Sequence, residues 1–335
     1  MLNQAAVSPF TFADPHIRAV DIRRDLDAIA DLIEECFASI MDEDGYAYLR
    51  QLRKSAQDAR MLEFLTNYID DLWAPIQGVV WEEQGRIIGN LTLLPFQKKR
   101  KPIYLIANVA VVEEQRNRGI GRLLTQSALG YAENRGASAA WLQVRDDNPG
   151  AIHLYQSLGF VEKVRRTAWH GMPDDALPQV EDGYTVSACS AADWDIQYRM
   201  LNRIYHPEVT WNLPVNLEKL RPSLLSQFAR LIGGETRRDW ALRFERQFLG
   251  AISWEAAKTW TDNLWVACDA ANQDLVLRNL LPQVLNSVQS KRPQSINYPA
   301  GQAEKTFQQA GFHKHVTLLW MEVQLKKGEP LSLSV

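Results

Sequence analysis

The chain echoes itself. Ser157-Leu158-Gly159-Phe160 returns as Gln309-Ala310-Gly311-Phe312, and Leu154-Tyr155-Gln156 returns at the same offset as Thr306-Phe307-Gln308. Upstream, Arg122-Leu123-Leu124 returns as Arg278-Asn279-Leu280 after a small gap shift. Val186 to Met200 repeats the pattern of the opening strand and helix, with Asp193 standing where Asp25 stands. One echo alone is weak; several in common order read as a duplication. The 335 residues have room for two domains. The polar, acidic, turn-rich stretch from Gly171 to Gly183 is the natural boundary, which gives domains 1–178 and 179–335.

Composition removes several classes of function. Hydrophobic residues at 46% and charged residues at 23% fit a globular chain, and a net charge of −3 provides no general basic field. A nucleic-acid partner is therefore not expected. No run approaches the roughly 18 apolar residues of a membrane span, so no membrane partner is expected either. Cys36, Cys189 and Cys268 are too scattered for a disulfide framework or a metal cluster, and no metal is expected. Met1-Leu2-Asn3-Gln4 has no basic, apolar leader character. These signs together point to a cytoplasmic protein.

Periodicity predicts alternating strands and helices. A strand at Ile17–Val20 precedes an amphipathic helix from Asp25 through Ile29, Ile33 and Phe37, and a second helix is read over Tyr46–Trp73. A hairpin follows, Gln77–Glu83 and Arg86–Leu94, and then a turn at Gln97–Lys101 whose basic side chains read as a solvated tip. Beyond it come a strand (Ile103–Val112), a helix (Gly119–Asn134), a strand (Ala139–Val144), a helix (Pro149–Leu158) and a strand (Val161–Trp169). The fold class is mixed α/β, a mixed sheet flanked by helices, in two tandem copies. The segment Tyr205–Pro214 has no clear period and reads as a loop over an acceptor site. Most of the tryptophans of the second half read as core.

The strongest chemical signal is Val109-Ala110-Val111-Val112-Glu113-Glu114-Gln115-Arg116-Asn117-Arg118-Gly119-Ile120-Gly121-Arg122. An apolar strand runs through a two-glycine loop into a helix. A helix start presents unsatisfied N–H groups and partial positive charge, a setting for phosphate. The pattern lacks the third glycine of a dinucleotide fingerprint and the Gly-Lys-Ser/Thr of a P-loop. After the next strand comes Asn148-Pro149-Gly150-Ala151-Ile152-His153-Leu154-Tyr155-Gln156-Ser157-Leu158-Gly159-Phe160, where Asn148 suits an N-cap and Pro149 the first helical position.

The two segments, in this order, resemble the GNAT acetyltransferase superfamily over about residues 15–170. The resemblance implies acetyl-CoA as co-substrate. Val109, Ala110 and Val111 would pair with the pantetheine arm, and the Val111 N–H would polarise the thioester carbonyl. The loop Arg116, Asn117, Arg118, Gly119, Ile120, Gly121 and Arg122 would hold the pyrophosphate. Asn148 would lie near the pantetheine, and Tyr155 would act as general acid toward the departing sulfur. No base is assigned, and a water-mediated route or a substrate amine already neutral at working pH is equally open. Gln143 and Asn108 stand where related enzymes carry a glutamate, and Glu82, Glu83, Asp146, Asp147 and His153 remain open.

If the copies align, Gly119, Gly121 and Tyr155 correspond to Leu275, Leu277 and Phe307, so the second copy is expected to be degenerate. The expected activity is N-acetyl transfer to a primary amine of a small molecule or peptide. A non-catalytic acyl-CoA-binding or sensing protein is the alternative. A homodimer is left open.

Overall fold

The computed structural model describes residues 12, 14–65, 77–98, 100–173, 179–222, 237–288 and 290–325. They form two compact mixed α/β units. The first opens with β1 (Ile17–Ala19), α1 (Leu26–Phe37) and α2 (Glu43–Leu65). Leu26, Ile29, Ala30 and Ile33 form the buried stripe of α1, and they pack with Leu49, Leu52 and Ala56 of α2 and with Val80. Each such side chain contributes about 2 kcal/mol of burial. The expected continuation of the second helix beyond residue 65 falls partly outside the described residues, and α2 begins three residues earlier than Tyr46.

A meander follows: β2 (Gln77–Glu83), β3 (Arg86–Lys98) and β4 (Lys101–Val111). The β3–β4 arm is longer than the sequence reading, because its strands continue almost to the turn. Lys98 is not a solvated tip residue, since its Nζ lies 4.0 Å from the Trp141 ring centroid. Next come α3 (Ile120–Asn134), β5 (Ala139–Arg145) and α4 (Pro149–Ser157). Gly136, at φ +73°, ends α3, with its N–H bonded to the Glu133 carbonyl and the Ala137 N–H bonded to that of Ala132.

The second unit contains β7 (Tyr184–Ser187), α5 (Trp194–Ile204), α6 (Pro207–Thr210), β8 (Arg237–Phe244), β9 (Gln247–Glu255) and β10 (Asp262–Cys268). Then come α7 (Gln273–Ser287), β11 (Gln294–Pro299), α8 (Glu304–Gln309) and most of β12 (His313–Gln324). Its core gathers Trp240, Ile252, Leu264, Trp265, Val276, Leu280 and Phe307. Asp25 and Asp193 begin their helices alike, and each binds an arginine of its own unit: Arg18 and Arg243.

The compact units do not follow the 1–178 and 179–335 division. The strand β6 (Val161–Gly171) pairs antiparallel with β11, from Arg166 opposite Pro299 to Gly171 opposite Gln294, so Lys163–Gly171 lies in the second unit. In return, Trp320–Gln324 of β12 belongs to the first unit. Most of β6 thus belongs to the second unit and the end of β12 to the first, a pairing that local periodicity does not encode. The Tyr205–Pro214 segment also differs from expectation. It is not an open loop, because Tyr205 and Val209 are fully buried and Pro207–Thr210 is helical.

Candidate active site

The first unit's sheet opens beside β4. β3 and β4 pair from Lys98–Lys101 down to Thr92–Ala107, then shift register, and resume at Asn90–Ala110 and Gly89–Val111. Asn108 sits in this bulge with φ +51°, a left-handed conformation that few non-glycine residues adopt. On its other side β4 pairs in parallel with β5 over Ile103–Ile106 and Ala139–Leu142. Past Leu142 the two strands continue without further pairing among the described residues. The Val112 N–H donates to the Ile88 carbonyl at 3.0 Å. Ladder alternation therefore turns the amides of Val109 and Val111 away from β3, toward the opening. The Val111 carbonyl is occupied: it accepts from Arg116 Nε at 3.2 Å and from the Cys36 thiol at 3.4 Å. Its N–H is left to the opening.

The strand leads through a short 3-10 turn, Glu113–Gln115, into the predicted phosphate loop. Asn117 (φ +64°) and Gly119 (φ +81°) are both left-handed, so the chain enters α3 with its first amides turned outward. A Cβ at Gly119 would meet nothing within 4 Å, so the glycine serves the backbone angle rather than a contact. At Gly121 a Cβ would meet only Leu154, at 3.6 Å. The helix start is thus an uncovered cradle of N–H groups, which fits a pyrophosphate.

The arginines there are partly spent on neighbours. Arg118 bonds Glu83 at 2.9 Å, Arg116 holds Val111, and Arg122 donates to Ser157 Oγ at 2.8 Å. The Arg122–Ser157 bond and the Gly121–Leu154 approach lay α4 against the first turn of α3. This brings Tyr155, between those two residues of α4, to the same end of the sheet as Val109–Val111.

Tyr155 is buried, edge-on to Phe160 at 5.8 Å, and its hydroxyl has no hydrogen-bond partner among the described residues. Burial pushes its pKa up to about 12, so it carries its proton at neutral pH. Asn148 caps α4, its Oδ1 accepting from the Ala151 N–H at 3.1 Å, which gives this asparagine a structural use as well.

The carboxylates left open as bases are tied into ion pairs. Glu82 binds Arg18, Asp146 binds Lys314, and Asp147 binds Arg145. Arginine contacts hold the Glu83 and Asp147 carboxyls below their usual range, which leaves both poor proton acceptors. His153 is exposed on α4 and Gln143 half-buried on β5. Sequence reasoning passed over Tyr48 of α2, whose hydroxyl accepts from Asn108 Nδ2 at 2.9 Å. Its only sequence signal was a tyrosine on a helix of mixed polarity.

The equivalent place in the second unit is built differently. Gly250 opposite Cys268 matches Gly89 opposite Val111, but β9 and β10 pair without a bulge from there to Glu255. β10 meets β11 at Asp262–Gln294 and Asn263–Ser295. Beyond these pairs the Val266 N–H, the counterpart of Val109, is taken by the Tyr205 hydroxyl at 3.1 Å. The buried Ile120, Leu124, Ala128 and Leu129 of α3 match the buried Val276, Leu280, Val284 and Leu285 of α7. That registration sets Leu275 and Leu277 opposite Gly119 and Gly121. It also makes α7 begin a turn earlier, in place of the left-handed loop. Phe307 is fully buried against Trp169, with ring centroids 5.2 Å apart.

Residues 30–160 match the model of the acetyltransferase (GNAT) family. The [ribosomal protein bS18]-alanine N-acetyltransferase of Escherichia coli K12 is 39% identical over 67 residues, 20% of this chain and 45% of that protein. The mycothiol acetyltransferase of Tsukamurella paurometabola is 44% identical over 61 residues, 18% of this chain and 21% of that protein. The chain thus spans less than half the length of these curated relatives. The crystal structure of a GCN5-related N-acetyltransferase from Sphaerobacter thermophilus shares the fold at TM-score 0.60. That match has 16% identity and covers 96% of this chain and 99% of the other. No described helix is long and apolar enough to cross a membrane.

Proposed function

We propose that this protein is an acetyl-CoA-dependent N-acetyltransferase with one active site, in the first unit, and a silent second unit. The observation that carries the reading is the opening between β4 and β5, with the amides of Val109 and Val111 facing it and the bare start of α3 at its end. Acetyl-CoA supplies the activated acetyl group. The chain holds its pyrophosphate on the amides of Gly119–Arg122 and its pantetheine along Val109–Val111. The Val111 N–H donates to the thioester carbonyl, a fixed dipole aimed where negative charge develops. A primary amine attacks directly, and Tyr155, whose hydroxyl has no other partner among the described residues, donates to the leaving sulfur.

The acceptor is an amine of a small molecule or a peptide; the relatives' names include a ribosomal-protein alanine. The silence of the second unit is supported by Tyr205 on Val266, by Leu275 and Leu277, and by Phe307 in place of the acid. A non-catalytic acyl-CoA sensor would have no use for an acid such as Tyr155.

The test is amine-dependent release of free thiol from acetyl-CoA by the wild type and by Tyr155→Phe. Turnover that falls far more than acetyl-CoA affinity supports the reading. Equal losses in both would assign Tyr155 to packing.

A further inference from the structure

Asn108 is left-handed at φ +51°, a conformation asparagine takes more readily than most side chains, three positions before the Val111 amide, and neighbouring groups bond it there. Here the holding groups are visible. Asn90 is fully buried, and its Nδ2 donates to the Asn108 carbonyl at 2.9 Å. Asn108 Nδ2 in turn donates to Tyr48 Oη at 2.9 Å and reaches Thr92 Oγ1 at 3.5 Å. With Nδ2 engaged, Asn108 Oδ1 is left as an acceptor with no partner among the described residues. The Tyr48 hydroxyl, receiving a bond from Asn108, keeps its own proton to donate from a side chain that is 40% exposed.

We propose, on the strength of the acetyltransferase reading, that Asn108 and Tyr48 form the acceptor subsite, a neutral pair that orients an uncharged, weakly basic primary amine without taking its proton. Asn108 Oδ1 accepts one N–H of the amine and so turns its lone pair toward the thioester carbon. Tyr48 donates to a polar atom of the acceptor next to the amine. The C–N bond forms and the C–S bond breaks. The nitrogen then loses one proton to water, and the sulfur gains one from Tyr155, which is reloaded from solvent.

A carboxylate in this position would favour a protonated ammonium; a carboxamide gives it no such advantage. Among the titratable and charged side chains nearby, Tyr48 of α2 bonds Asn108, and Cys36 of α1 and Arg116 of the loop bond the Val111 carbonyl. Burial pushes both the Tyr48 hydroxyl and the Cys36 thiol up, so neither serves as a base near neutrality.

The test measures kcat/KM against pH with acetyl-CoA and four probe amines of graded basicity: hydroxylamine, hydrazine, glycinamide and propylamine. Acetyl-CoA binding is measured in parallel by calorimetry. The midpoint of the wild-type profile is expected to move with the amine's own ionisation. Asn108→Asp, nearly isosteric and tolerant of the left-handed backbone, is expected to add one limb common to all four amines. Tyr48→Phe is expected to raise the amine KM about tenfold with acetyl-CoA affinity unchanged, an effect equivalent to about 1.4 kcal/mol.

A wild-type midpoint shared by all four amines would overturn the proposal, as would an unchanged profile in Asn108→Asp. Acetyl-CoA binding with no transfer to any of the amines would overturn it too, leaving the cofactor site standing. Failure to bind acetyl-CoA would instead overturn the parent reading.

Discussion

The Tyr205 hydroxyl accepts the Val266 N–H at 3.1 Å, at the strand position where the first unit leaves the Val109 amide facing an opening. One side chain thereby occupies the amide that the proposed reading would need free in a second site. On the first unit's β4 the register with β3 instead shifts at Asn108, whose carbonyl accepts from buried Asn90.

Replacing Gly121 by Glu sets a charged side chain into the α3 cradle, where only Leu154 stands near. Acetyl-CoA binding is expected to fall below detection by calorimetry while the thermal midpoint stays near that of the wild type, because the position is open. A variant that still binds would remove the helix start from the pyrophosphate site.

Tyr155→Phe is expected to lower kcat roughly 100-fold with little change in the KM for acetyl-CoA, the range for losing a positioned acid. Steady-state kinetics at saturating amine checks this.

Alkaline pH should destabilise the protein through its buried tyrosines. Burial raises Tyr155 and Tyr205 to about 12 in the folded state, from the ordinary tyrosine value of about 10. Between those values the native state holds protons that the unfolded chain has released, so stability falls as pH rises. It is unaffected below pH about 10. For Tyr155 alone the two-unit difference corresponds to about 3 kcal/mol once both limits are passed. Urea unfolding at stepped pH, read beside ultraviolet tyrosine titration, tests the sign.

Asp25→Ala removes the buried carboxylate that binds Arg18 at 2.5 and 2.9 Å and accepts the Asp21 N–H at 2.7 Å. A loss of about 3 kcal/mol is expected, since Arg18 keeps only part of its partners. Denaturant titration of the full chain measures it.

A chain cut at residue 178 lacks Trp320–Gln324 and retains a β6 whose partner β11 is gone. It is expected to show no cooperative unfolding transition, whereas two independent domains would leave it folded.

The sequence made the strands, helices and phosphate loop legible because each rests on local chemistry. The Ile29–Ile33 stripe, the Asn148 cap and the glycines of 119–121 carry their own signals. The duplication was also readable, down to Asp25 and Asp193. The placement of β6 was not, since the strand is extended whichever unit it joins, and only pairing partners far along the chain decide. Tyr205 gave no warning that it would fill a slot. The bulge at Asn108 was hidden as well, because its cause is the carbonyl contact from Asn90, eighteen residues away.

Calorimetric titration of the full chain with acetyl-CoA tests the central claim most directly, because it counts sites as well as measuring affinity. One site per chain, abolished by Gly121→Glu, is the result this structure predicts. Two sites would contradict the closed second unit, and none would contradict the cofactor site itself.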